Sequence, residues 1–312
     1  MPGRLSILIY HRVLSAPDPL QPDIPDAALF RRHMCWLRRL YRVLPFAEAL
    51  ALLARGRLPG RAVAITFDDG YRDNYEVALG ILLELNLSAT FFISSGFLDG
   101  GRMWNDTVIE TVRRLPESEL SFEPCDIREL PLRSIEQRRE AIHQLVSELK
   151  YRPLAQRQKL CETLAARLDE TLPGLMMSRE QVRGLHQAGM EIGAHTVHHP
   201  ILKQLAPAAA RAEIEQSKHA LEAILGEPVR LFAYPNGKAG QDFGPEHAAM
   251  VAELGFEAAV TTDCGTADAG TNPYHLPRFT PWDRQPWWYV ARLAWQRGVG
   301  KESLFDIRRS RI

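Results

Sequence analysis

Apolar positions in this chain fall into two kinds of run. Seven short, nearly unbroken runs lie at 5–10 (LSILIY), 62–67 (AVAITF), 89–94 (ATFFIS), 190–194 (MEIGA), 229–233 (VRLFA), 257–261 (EAAVT) and 276–279 (LPRF). They lack regular polar alternation, as expected of strands covered on both faces. Between them, apolar residues recur at helical spacing. Asp26 is a fitting N-cap for a helix carrying Phe30, Met34, Leu37 and Tyr41. Val77, Ile81 and Leu85 repeat every four residues, and Ser178 with Gln181 forms a capping box for a helix that stops before Gly189. A helix over about 207–225 opens on Pro207 and ends at Gly226, and another over about 245–254 ends at Gly255. Strands alternating with helices predict parallel βαβ units, and seven of them predict an α/β barrel or a strongly curved sheet.

One interval breaks the rhythm. No strand pattern stands out between 101 and 175, while helical patterns occur near 134–150 and 154–170. The expectation is a single domain over 1–312 with a helical insertion at about 101–176. A Trp/Arg-rich helix and tail follow at about 284–312.

Composition narrows the class. The chain has 312 residues, 46% of them hydrophobic and 24% charged, which excludes a disordered or low-complexity polymer. Lys+Arg and Asp+Glu are both 38, so the basic excess of a nucleic-acid binder is absent. Cys35, Cys125, Cys161 and Cys264 are widely spaced, with neither metal-ligand spacing nor a disulfide framework. The opening apolar run is too short for a signal peptide and is followed by His11 and Arg12. No stretch approaches a membrane span. A cytoplasmic location, at most on the inner face of the membrane, is the expectation.

Two segments carry chemistry. Thr66-Phe67-Asp68-Asp69-Gly70 places adjacent carboxylates just past a strand, where sites of parallel α/β folds lie. His195-Thr196-Val197-His198-His199-Pro200 follows another strand and holds three imidazoles within five residues. Asp69, His195 and His199 make a two-histidine, one-carboxylate set with positions left for water, suited to zinc and other late divalent metals. His195 with His198 is also possible geometrically. Asp68 is then free to serve as general base.

These segments resemble the TFDDG and H-[ST]-x-x-H-P motifs of the polysaccharide deacetylases, the NodB-homology group also called carbohydrate esterase family 4. The resemblance runs from Ile7 to about Pro281, outside the insertion. It implies a distorted (β/α)7 barrel that hydrolyses N-acetyl, sometimes O-acetyl, groups on sugars with a divalent metal, often zinc. It implies Asp68 as base and Asp69, His195 and His199 as metal ligands, His199 being preferred to His198 because Pro follows it.

The third motif departs from the common Arg-Pro-Pro-Tyr-Gly. Here Phe232-Ala233-Tyr234-Pro235-Asn236-Gly237 resembles the FAYP-x-G variant of the poly-N-acetylglucosamine deacetylase branch, as does the opening Ile9-Tyr10-His11-Arg12-Val13. Tyr234 and Asn236 become substrate or oxyanion candidates. Arg278 is the candidate replacement for the missing arginine, pairing with Asp68. No late Leu-x-His occurs, so His11 at the end of the first strand is the candidate acid. Trp104 is a candidate sugar platform. Trp282, Trp287, Trp288, Tyr289 and Trp295, interleaved with arginines, allow a peripheral membrane contact.

The resulting reading is a metal-dependent hydrolase removing N-acetyl or related N-acyl groups from a glycan, such as a cytoplasmic or lipid-linked precursor. The metal is zinc, with cobalt or nickel as alternatives. An O-acetyl esterase, another amidohydrolase and a catalytically weak sugar-binding homologue are the rival readings.

Overall fold

The computed structural model describes residues 3–116 and 118–281, together with 285, 289, 292 and 293. The chain opens on β1 (Ser6–Tyr10), α1 (Ala27–Leu40), β2 (Arg42–Val43), α2 (Phe46–Ala54) and β3 (Ala62–Phe67). A π-helical turn, Asn74–Ala78, leads into α3 (Leu79–Glu84) and β4 (Thr90–Ile93). Then come α4 (Trp104–Arg114), β5 (Glu119–Phe122), β6 (Ile127–Pro131), α5 (Ile135–Lys150) and α6 (Leu154–Ala165). The barrel resumes with α7 (Arg179–Gln187), β7 (Glu191–Ala194), α8 (Pro207–Leu225), β8 (Leu231–Ala233), α9 (Pro245–Glu253), β9 (Ala258–Cys264) and β10 (Leu276–Arg278).

The local chemistry explains the helix ends. The Asp26 side chain accepts from the Leu29 N–H at the head of α1. Ser178 and Gln181 close a capping box on α7. Pro207 occupies the first turn of α8, and Gly226 ends it in the left-handed region at φ 75°.

The strands pair in parallel in the order β1-β3-β4-β7-β8-β9-β10. β2 pairs with the start of β3. The outer edges meet where Leu8 bridges Phe279. There the Ile9 N–H donates to Phe279 O at 2.9 Å and the Phe279 N–H to Ile7 O at 2.8 Å. The sheet is thus a nearly closed α/β barrel, as the seven apolar runs predict.

Strand side chains alternate between two cores. Ile7, Ala64, Phe92, Leu231, Val260 and Leu276 cluster on the barrel's inner side. Leu8, Ile65, Phe91, Ile192, Phe232 and Ala259 cluster beneath the helices. Because successive strand residues face opposite ways, the inner parity runs on past the strand ends to His11, Asp68, His195 and Arg278. All four leave the carboxyl ends of strands, the face on which parallel barrels build their sites.

The segment between 101 and 175 corrects the expectation of helices alone. β5 and β6 form an antiparallel hairpin there, with Leu120 opposite Leu130. Leu120 and Phe122 alternate with exposed neighbours, and they join Val108, Leu145 and Leu164 in a separate core. The runs are too short and too polar on their outer face to stand out in the sequence. The Trp/Arg-rich segment at about 284–312 lies outside the described residues, except for 285, 289, 292 and 293. Among the described residues no helix is long and apolar enough to cross a membrane.

The inner core leaves no room at Gly193, where a Cβ would collide with the Phe92 ring. Gly193→Ala is expected to cost about 1–3 kcal/mol by overpacking. Urea unfolding measures this, and part of the loss should return in the Gly193→Ala, Phe92→Leu double variant. An unchanged unfolding midpoint in Gly193→Ala would contradict the packing described.

Candidate active site

Asp68 and Arg278 meet inside the mouth of the barrel. Arg278 Nη1 donates to Asp68 Oδ1 at 2.7 Å and Nη2 to Oδ2 at 2.6 Å. Arg278 Nε donates to Thr261 O at 2.8 Å and Nη1 also to Thr66 Oγ1 at 3.1 Å. Thr66 is itself oriented by donating to Leu8 O at 2.7 Å. Both ends of the pair are buried, Arg278 at 1% and Asp68 at 2% exposure. Burial alone would raise the Asp68 carboxyl, but the Arg278 guanidinium, with His195 nearby, outweighs it and holds it below the ordinary value. A carboxylate so held is ionised and fixed in direction, which suits a base.

Asp69 turns the other way. Its Oδ1 lies 3.4 Å from both His195 Nε2 and His199 Nε2 and has no hydrogen-bond partner, although it is buried. The ligand atoms of Asp69, His195 and His199 all lie within 4.8 Å of one another. His195 Nδ1 contacts Ala233 O at 2.7 Å. A proton on Nδ1 donated to that carbonyl leaves the Nε2 lone pair facing Asp69, the tautomer a metal ligand needs. Burial pushes the His199 imidazole down to about 3 despite Asp69, so it presents a lone pair, whereas Asp69 and Asp68 outweigh burial and hold the His195 imidazole above its ordinary value. One unbonded carboxylate oxygen and two imidazole nitrogens converging on one point fit a divalent cation of the zinc type.

The backbone around this point is strained. Asp69 (φ 76°), Thr196 (φ 63°), His199 (φ 50°) and Asn236 (φ 58°) all occupy the left-handed region without being glycine. In the histidine loop, Thr196 Oγ1 donates to His195 O at 2.6 Å and accepts from the His199 N–H at 3.1 Å. That clasp turns His199 back toward Asp69. His198 faces away: its Nδ1 lies 2.7 Å from Glu213 Oε1 on α8, and its N–H donates to Glu213 Oε2 at 2.8 Å. The choice left open by spacing thus falls on His199.

The remaining candidates divide. His11 is exposed at the mouth, and its charge acts on Asp68, Asp69 and His199. The Asn236 N–H has no acceptor among the described residues, while Asn236 O accepts from Thr262 Oγ1 at 2.6 Å. Tyr234 corrects its assignment as a substrate group. It has the outer parity of β8, stacks on Phe243 at 3.8 Å between ring centroids, and donates its hydroxyl to Tyr274 O at 3.1 Å. It is a core residue. Trp104 starts α4, and one face of its ring is covered by the Arg157 guanidinium at 4.7 Å.

The sequence did not flag a second buried network beside the site. Arg12 Nε donates to Asp73 Oδ2 at 2.8 Å, and Arg12 Nη1 lies 3.9 Å from Asp106 Oδ1. Tyr71 donates to Asp106 Oδ2 at 2.8 Å, and Asn74 Nδ2 donates to His11 O at 2.8 Å. Burial pushes Asp106 up to about 7 against the pull of Arg12. These groups tie the His11 loop, the Asp68–Asp69 loop and α4 together. Their one sequence signal is adjacency to the motifs, in Arg12 and in Tyr71-Arg72-Asp73-Asn74.

Comparison with known proteins identifies the family and the fold. The family model described as Polysaccharide deacetylase matches residues 55–123 and 132–259, more than half of the chain. YxkH of Bacillus subtilis (strain 168) is 23% identical over 284 residues, covering 90% of this chain and 73% of that protein. IcaB from Ammonifex degensii superposes with a TM-score of 0.62 at 21% identity, covering 95% of this chain and 97% of that one. The Streptococcus pyogenes deacetylase PplD in complex with acetate superposes at 0.60 and 21% identity, covering 90% and 93%. The two superpositions show a shared fold. With both motifs on one barrel mouth and the family match spanning them, this chain belongs to the polysaccharide deacetylase family.

Proposed function

We propose that this chain removes N-acetyl groups from sugars of a glycan by metal-assisted hydrolysis. The observation that carries the reading is the contrast between two adjacent carboxylates. Asp68 is clamped by Arg278, whereas Asp69 keeps a buried oxygen unbonded and turned toward two imidazoles. A divalent cation held by Asp69, His195 and His199, zinc first and cobalt or nickel next, would polarise the acyl carbonyl and ease deprotonation of water.

The chain's own groups perform the rest. Asp68 accepts the proton of the attacking water. Arg278 holds that carboxylate ionised and aimed, with both Nη1 and Nη2 engaged. As the carbonyl carbon becomes tetrahedral, the Asn236 N–H donates to the developing oxyanion. His11 gives a proton to the departing amine, the carbon–nitrogen bond breaks, and acetate and a free amino sugar remain. Each proton transfer of this kind is typically worth about 10²–10⁴-fold in rate.

Metal content measured beside acetate release tests the division of labour. Wild type and Asp68→Asn should both bind one equivalent of zinc after chelation and titration, and Asp69→Ala should not. Acetate release from N-acetyl oligosaccharides should fall by at least about 10²-fold in Asp68→Asn. Loss of the metal in Asp68→Asn, or full activity in Asp69→Ala, would overturn the assignment.

Arg278→Ala separates positioning from fold. It leaves a buried carboxylate without its partner, so stability is expected to drop by about 3–5 kcal/mol. Where the variant remains folded, kcat should fall more than tenfold while zinc affinity stays near wild type. A loss of activity below about twofold would remove Arg278 from the mechanism. Arg278→Lys keeps the charge without the two parallel bonds and should fall between.

A further inference from the structure

Arg157 is a buried cation that the chemistry above does not use. It lies on α6 and is 4% exposed. Arg278 and Arg12, the other deeply placed arginines near the site, each hold a carboxylate. Arg157 does not: among the described residues its Nη1 donates to Lys150 O at 3.2 Å, its guanidinium covers the Trp104 ring, and no carboxylate comes within ion-pair distance. One carbonyl and one ring face compensate part of the loss of water. A cation removed from solvent without a counter-ion still carries a desolvation penalty. Burial accordingly lowers the Arg157 pKa, with only the Cys161 thiol pulling the other way and no carboxylate opposing it.

Arg157 lines a cavity of about 120 Å³. Arg152 and Pro153 belong to its insertion side, and Pro200, Ile201 and Gln204 to its barrel side. No acidic side chain lines it. Arg152 Nη2 has Glu148 Oε2 at 3.8 Å, on a side chain that is half exposed. The first turn of α6 opens on the cavity, carries no acidic residue, and has no side-chain cap. Its N–H groups and positive dipole end therefore add to the two arginines. Pro200 directly follows His199, and the charge of Arg157 acts on the His199 ring. At about 10–15 Å³ of such space per water, the cavity has room for a phosphate or carboxylate.

We propose that this cavity is a subsite for an anionic substituent, a phosphate or a carboxylate, on the glycan whose acyl group reaches Asp68 and Asp69. It rests on the deacetylase reading and narrows it to acidic glycans. The anion supplies the counter-charge that Arg157 lacks, and the sugar bearing it stays in the cleft beside the metal-ligand loop. The insertion thereby takes part in choosing the substrate.

The test compares three N-acetyl oligosaccharides of equal length: one neutral, one bearing a phosphate and one bearing a carboxylate. Wild type should favour at least one acidic substrate by about tenfold or more in kcat/KM, as expected of a charge-assisted bond. Which one is favoured identifies the source of the anion. In Arg157→Gln the ratio of acidic to neutral kcat/KM should fall toward one, whatever the absolute rate, and Arg157→Lys should keep part of it. Gln204→Glu, nearly isosteric, places a carboxylate in the cavity and should abolish the preference even if Arg157→Gln fails to fold. Equal kcat/KM on all three substrates, or a preference that survives Gln204→Glu, overturns the subsite. Binding of inorganic phosphate by calorimetry distinguishes its failure from failure of the deacetylase reading. If no substrate is hydrolysed, phosphate bound by wild type and lost in Gln204→Glu still supports the subsite, and equal binding by both overturns it.

Discussion

The pair of parallel hydrogen bonds between Asp68 and Arg278 is the constraint on which the site depends. It joins the ends of β3 and β10, residues 210 positions apart in the sequence, across the mouth of the barrel. A buried pair of this kind adds little net stability, because desolvation offsets much of the attraction. Its contribution is direction. With both carboxylate oxygens occupied by a guanidinium that is itself held by Thr261 O and Thr66 Oγ1, Asp68 has one orientation. The neighbouring Asp69, forced to φ 76°, is turned out of that arrangement and toward the histidines. Two chemically identical side chains thus acquire different roles from their surroundings alone.

The barrel supports this by alternation. The inner row that packs as Ile7, Ala64, Phe92 and Leu276 continues at the strand ends as His11, Asp68 and Arg278. Polar groups appear where the apolar row runs out, and the cost of burying them is met by bonds to one another or to backbone carbonyls. The outer row explains Tyr234, which the motif alone placed at the substrate. Two residues beyond Phe232, it belongs under the helices, and its stacking on Phe243 follows from that parity.

The segment from α4 to α6 is more than a decoration of the barrel. Asp106 on α4 meets Tyr71 and Arg12 beside the His11 and Asp68–Asp69 loops, and Arg157 on α6 stands next to the His199–Pro200 turn. Its own core, from Val108 to Leu164, lets it keep its shape while lending these side chains to the mouth. Charged groups buried at the junction of two cores have few ways to rearrange, which makes them suited to positioning and selection.

Local pattern determined much of this protein in advance. The apolar runs, the caps at Asp26 and Ser178 and the stops at Gly226 depend on neighbouring residues, so the alternating strands and helices were legible in the sequence. The carboxylate pair and the histidine cluster were legible too, because each is compact along the chain. The β5–β6 hairpin was not, since its burial comes from helices elsewhere in the insertion. Spacing alone could not decide between His198 and His199; Glu213 on α8 and the Thr196 clasp did so by holding one ring away and turning the other inward. The Arg12–Asp73–Asp106–Tyr71 network and the Arg157–Trp104 contact join residues from separate elements. Charge pairing across the chain is set by distance in space, and only the folded barrel brings those charges together.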